Sequence, residues 1–106
     1  MKIIKNKAIR EDWDKVKSWN YKLTDLSPKM SVVFAELEGD HGLVKTNNFE
    51  RIYYIIEGKG EFLINNETIL IKEGDVITIP ANTKYDYRPV DGEKLKIVLF
   101  MELWNN

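Results

Sequence analysis

The chain contains no cysteine, one histidine, three prolines and no long apolar run in 106 residues. Without thiols there is no disulfide framework, no thiolate metal site and no cysteine nucleophile. No segment approaches the roughly 18 consecutive apolar residues that spanning a bilayer requires, and the apolar stretch after Met1 is too short for a signal peptide. The expectation is a cytoplasmic protein without a membrane partner. An excess of one charge is missing too: 16 basic and 17 acidic side chains leave a formal net charge of -1, which gives no general attraction to a nucleic-acid backbone. Basic residues gather near the start, from Lys2 to Lys17, but Glu11, Asp12 and Asp14 are interleaved with them as on a solvated surface.

What is present is enough for one compact core, with 43% hydrophobic and 11% aromatic residues. Residues 1–28 read as an arm of mixed polarity. Trp13 and Val16 suit a short helical turn, whereas Trp19, Tyr21 and Leu23 alternate as on a half-buried strand. These aromatics are expected to pack on the rest of the domain or on a second subunit. From 29 to 106 the pattern changes to short β-type runs: Ser31 to Leu37, Leu43 to Asn47, Arg51 to Ile56, Glu61 to Ile64, Thr68 to Ile71, Asp75 to Ile79 continuing through Tyr85 to Arg88, and Leu95 to Leu103. Turn residues separate them, among them Gly39-Asp40-His41-Gly42, Gly58-Lys59-Gly60, Pro80-Ala81-Asn82 and the hairpin pair Asn65-Asn66. Many short strands with regular turns predict an all-β sandwich or barrel.

Two segments, E-R-I-Y-Y-I-I-E-G-K-G-E-F from Glu50 to Phe62 and G-D-V-I-T-I-P from Gly74 to Pro80, resemble the signature segments of the cupin superfamily. In that family the first segment reads G, five residues, H-x-H, three or four residues, E, six residues, G; the second reads G, five residues, P-x-G, two residues, H, three residues, N. Gly58 closes the first segment here, and five residues separate Gly74 from Pro80 in the second. The resemblance covers about half the chain, Gly39 to Pro89, and implies a double-stranded β-helix, or jelly-roll, barrel. It also implies a homodimer, since cupins of this size are commonly dimers.

The family's metal ligands are not where the frame puts them. The glutamate position falls on Arg51 and the H-x-H pair on Lys45 and Asn47, or on Val44 and Thr46 with the longer spacer; the later histidine falls on Tyr85. Cationic side chains there would repel a metal ion, so no metal and no other cofactor is expected. Strand geometry speaks against Glu50 as a substitute carboxylate with His41 as its partner, because a one-residue slip turns the side chain to the opposite face if Arg51 points inward; a non-standard metal site involving His41 or Glu50 stays open.

Period-two alternation puts Arg51, Tyr53 and Ile55 on one face and Ile52, Tyr54 and Ile56 on the other. The resemblance turns the first set inward, along with Lys45, Asn47, Tyr85 and Tyr87. A barrel lined by these side chains is polar, aromatic-walled and positively charged, and it suits a small anionic metabolite of the sugar-acid or sugar-phosphate type. Alternatively Arg51 forms a structural ion pair with Glu61, Asp86 or Glu57 inside a plugged barrel. His41 is the one side chain whose unperturbed pKa lies near neutrality, which makes it the first candidate for proton transfer, although a turn histidine is ordinarily exposed. Some metal-independent cupins isomerise or epimerise sugars with a histidine base and a tyrosine acid, so the resemblance nominates His41 with Tyr85 or Tyr53 as a catalytic pair. The competing reading is a non-catalytic sensor or dimeric scaffold with a filled barrel.

Overall fold

Alternation of apolar and polar side chains carries through to ten strands in the computed structural model, which describes residues 1–103. In chain order these are β1 (Ile9–Trp13), β2 (Val16–Leu23), β3 (Met30–Leu37), β4 (Val44–Lys45), β5 (Arg51–Glu57), β6 (Lys59–Ile64), β7 (Glu67–Lys72), β8 (Val76–Ile79), β9 (Lys84–Pro89) and β10 (Leu95–Glu102). A six-stranded sheet runs β1-β2-β3-β10-β5-β8 and a four-stranded sheet β4-β9-β6-β7, with every pairing antiparallel. This is the expected jelly-roll barrel. Among the described residues no helix is long and apolar enough to cross a membrane.

Inward positions on both sheets meet in one core that includes Leu37, Ile55, Phe62, Ile79, Leu95 and Ile97, all with no exposed surface. Each such side chain contributes about 1.5–3 kcal/mol relative to exposure. One end of this core is closed by close backbone packing at two glycines. Gly58 has φ +91°, and a Cβ there would collide with the Lys94 carbonyl oxygen; at Gly60 a Cβ would lie 2.6 Å from the Arg88 carbonyl oxygen. The Asn65-Asn66 hairpin forms as expected, with both residues at positive φ (49° and 67°) between the paired Ile64 and Glu67.

Three expectations change. The first 28 residues are not an arm lying on a barrel: β1 and β2 are strands of the six-stranded sheet, and β2 sends Val16, Ser18 and Asn20 into the buried layer. Trp13 and Val16 face each other across a β-hairpin whose turn holds Asp14 at φ 46°, in place of a helical turn. Lastly, Asp75 to Ile79 does not continue into Tyr85 to Arg88, because β8 and β9 belong to different sheets. Pro80 cannot donate to a ladder, so the chain leaves one sheet there and enters the other.

Candidate functional site

Arg51 opens β5 opposite Ile79, and Tyr53 follows two residues on opposite Ile77, so both share the inward face of their buried partners. The face expected from alternation is the one observed: Tyr53 and Ile55 are buried, whereas Ile52, Tyr54 and Ile56 are exposed. Tyr85 and Tyr87 come inward from β9, at 1% and 2% exposure. Between the sheets, at the end of the barrel away from Gly58 and Gly60, lies a cavity of ≈ 560 Å³ lined by His41, Val44, Arg51, Tyr53, Tyr85 and Glu102 among others. A volume of this order suits a small metabolite.

The hydroxyls and the guanidinium form one connected group. Arg51 Nη1 donates to the Tyr85 hydroxyl oxygen at 3.0 Å, and the Tyr85 and Tyr53 hydroxyls share a hydrogen bond of 2.5 Å. Tyr53 also meets the Tyr87 ring edge-on, with centroids 5.1 Å apart. Burial pushes the Tyr53 phenol well above its ordinary range, and burial raises Tyr87 likewise. Both therefore stay protonated at neutral pH and can donate hydrogen bonds.

Arg51 has a partner that the sequence did not suggest. Its Nη2 lies 3.2 Å from Glu102 Oε1, while none of Glu61, Asp86 or Glu57 pairs with it; Glu61 binds Arg88 and Glu57 binds Lys96. Strict alternation from the exposed Phe100 would send Glu102 outward. The strand ends at Glu102, which lines the cavity. The cavity's half-buried cation thus arrives with a counter-ion, so its lining is less positive than the sequence implies.

His41 is half-buried, not the exposed turn residue that its surroundings suggested. Its loop is fastened at three points. Trp13 Nε1 donates to the His41 carbonyl oxygen (2.9 Å), the His41 amide donates to the Tyr87 carbonyl oxygen (2.9 Å), and the Gly42 amide donates to Asp86 Oδ1 (2.9 Å). The imidazole meets Trp13 edge-on at 5.2 Å and stacks on Tyr87 at 4.6 Å. Asp40, its neighbour in sequence, pairs with Arg88 instead. Burial lowers the His41 pKa from its ordinary 6.5, against the raising effects of the Gly42 carbonyl and Asp86. His41 Nδ1 lies 2.9 Å from the Gly42 carbonyl oxygen, which can only accept. Nδ1 then carries the proton and Nε2 keeps its lone pair. A neutral imidazole with a free lone pair at a cavity wall has the chemistry of a general base.

Two other predicted residues sit differently. Lys45 pairs with Lys84 while Val44 pairs with Tyr85, which turns Val44 inward and Lys45 outward; Lys45 and Asn47 are both exposed and reach the cavity only at its rim. Thr46 sets this register. It is fully buried, its hydroxyl donates to the Pro80 carbonyl oxygen at 2.6 Å and accepts the Thr83 amide at 2.9 Å. The longer spacer is therefore the one that fits. Tyr87 lies behind the cavity, stacked on Phe62 at 4.7 Å as well as on His41, and supports the wall without forming it.

The frame positions that hold metal ligands in cupins carry Val44, Thr46, Arg51 and Tyr85, a set without imidazole or carboxylate. Among the described residues no three His, Cys, Asp or Glu side chains come together in a way that could hold a metal ion. The residues present do not fit a family-type metal centre. A separate hollow is lined by Asp12, Asp14, Lys15, Glu36, Glu38 and Lys94, with Lys94 bridging Glu36 and Glu38.

The fold is similar to that of a predicted oxalate decarboxylase from Thermotoga maritima, with a TM-score of 0.82 and 21% identity over 98% of this chain and 100% of that one. It is similar also to Pac13 from Streptomyces, described as a nucleoside dehydratase, with a TM-score of 0.81 and 22% identity over 99% of this chain and 84% of that one. An uncharacterized protein of Methanocaldococcus jannaschii, MJ1618, is 41% identical over 49 residues, which are 46% of this chain and 39% of that protein. The two solved structures share the fold of this chain. Residues 30–102 match the AraC-like ligand binding domain, and the chain belongs to that family.

Proposed function

We propose that the barrel binds a small anionic metabolite of the sugar-acid or sugar-phosphate type in the cytoplasm, without a metal. The observation that carries this reading is Arg51, a cation at the wall of a ≈ 560 Å³ cavity, held by the Tyr85 hydroxyl and by only one oxygen of Glu102. An entering carboxylate or phosphate would accept from the guanidinium beside Glu102. Tyrosine hydroxyls and His41 supply contacts for sugar hydroxyls, in keeping with the uridine seen with Pac13 variants. The open cavity beside Arg51 argues against a barrel filled by its own side chains.

The same geometry supports isomerase or epimerase chemistry. His41 Nε2 would take a proton from a carbon next to the ligand's acid or carbonyl group, and Tyr85 or Tyr53 would return one from the tyrosine side. Binding without turnover, as in a sensor, uses the same contacts. Titration calorimetry with a panel of sugar acids and sugar phosphates tests the binding reading: at least one binds the native protein, and Arg51→Ala abolishes that binding.

A homodimer belongs to this reading. Ile52, Tyr54, Val76 and Phe100 lie exposed on neighbouring strands of the six-stranded sheet, an apolar outer face that a second copy would cover. Light scattering at twice the chain mass supports it, and the mass of a single chain removes it.

A further inference from the structure

The Arg51–Glu102 pair is left incomplete on both sides. Arg51 Nη1 and Nη2 are engaged, but Nε, in the same guanidinium plane, has no acceptor among the described residues. Glu102 Oε1 takes Arg51, but Oε2 has no donor among the described residues. Both atoms are buried, and a buried polar group without a partner costs roughly 1–3 kcal/mol. Structural ion pairs ordinarily satisfy their remaining hydrogen-bonding capacity. Here both defects sit on side chains that line the cavity, and each free atom is two bonds from the contact that joins the pair. The terminal torsion of a glutamate is broad, so a small rotation turns the second oxygen toward a ligand.

We infer that Arg51 and Glu102 together read a ligand carrying an acceptor and a hydroxyl donor on neighbouring atoms, the pattern of a 2-hydroxy acid. The inference rests on the anion reading above and narrows it. The ligand's carboxylate accepts from the Arg51 guanidinium, and the adjacent hydroxyl donates to the free oxygen of Glu102. A simple carboxylate satisfies only the first group and sets its own charge beside that of Glu102. Glu102 therefore acts as a selectivity device, attracting the hydroxylated acid and repelling the plain one. Glu102 enters no covalent step; it positions the acid end of the ligand relative to His41.

The test is titration calorimetry with D-gluconate and its 2-deoxy analogue against the native protein, Glu102→Ala and Arg51→Ala. Glu102→Met, which keeps the side-chain length without acceptors, serves as the second variant should the alanine protein fail to fold. A hydrogen bond to a charged group predicts that gluconate binds the native protein about tenfold or more tightly than the deoxy acid. Removing the Glu102 carboxylate collapses this preference to within about twofold and tightens binding of the deoxy acid, because Arg51 loses its competing counter-ion. Equal binding of both acids to the native protein overturns the inference and leaves the anion reading standing. A preference that survives in the Glu102 variants also overturns it. Binding of neither acid overturns the inference and leaves the anion reading to the wider panel, whereas unchanged binding of both acids in Arg51→Ala removes both readings.

Discussion

The two ends of the barrel are built on opposite terms. At the closed end Leu37, Ile55, Leu95 and Ile97 have no exposed surface, and two glycines let backbone approach backbone where a methyl group would collide. At the other end the same strands carry Arg51, Tyr53, Tyr85 and Glu102 around open volume, with polar atoms left without partners. Close packing and complete hydrogen bonding stabilise a fold, whereas open volume and spare hydrogen-bonding capacity cost stability and serve a ligand. The division teaches that the closed end holds the barrel together, while the open end carries the cavity on which the proposed function rests.

The sharpest way to break this contrast is at Gly58. Its φ of +91° and the Lys94 carbonyl beside it leave no room for a side chain. Gly58→Ala should lose about 3 kcal/mol or more of unfolding free energy in urea titration, while the fraction that stays folded binds ligand as the native protein does. A native-like stability for this variant would show that the closed end is not tightly packed.

A smaller effect separates the ends by pH. The His41 pKa is lowered in the fold by burial, so the native state holds fewer protons on this group than the unfolded chain does. Its contribution to stability is intact above about pH 6.5 and is lost as pH falls from there through the folded value. Urea midpoints measured between pH 7.5 and about pH 5 should decline, and His41→Gln should flatten that decline. An identical slope in both proteins would mean that His41 is not held neutral by its surroundings.

Much of the barrel was legible in the sequence because strand alternation and turn chemistry are local. Arg51, Tyr53 and Tyr85 fell inward as period two requires. Local pattern failed where a distant contact decided the matter. Lys45 was expected inward, but the bonds from Thr46 to Pro80 and Thr83 fix the opposite register, and nothing near residue 45 encodes them. Trp13 was placed in a helical turn because three-residue spacing fits a helix as well as a hairpin; its indole instead anchors the His41 loop across 28 residues of chain. Glu102 gave little signal, since its place in the alternation of its own strand points outward and its partner lies 51 residues away. An acidic residue at the end of an apolar run, within one strand of an inward arginine, is the cue that could have found it.

The measurement closest to the central claim is a titration of protein stripped with a chelator and freed of bound small molecules, carried out with the sugar-acid and sugar-phosphate panel on the native chain and on Arg51→Ala. The account predicts that an acidic sugar binds the stripped native protein at one site per chain and that Arg51→Ala reduces its affinity at least about a hundredfold, the loss expected for a buried charge-assisted pair. Binding that requires an added metal ion, or that is unaffected by loss of Arg51, would contradict it.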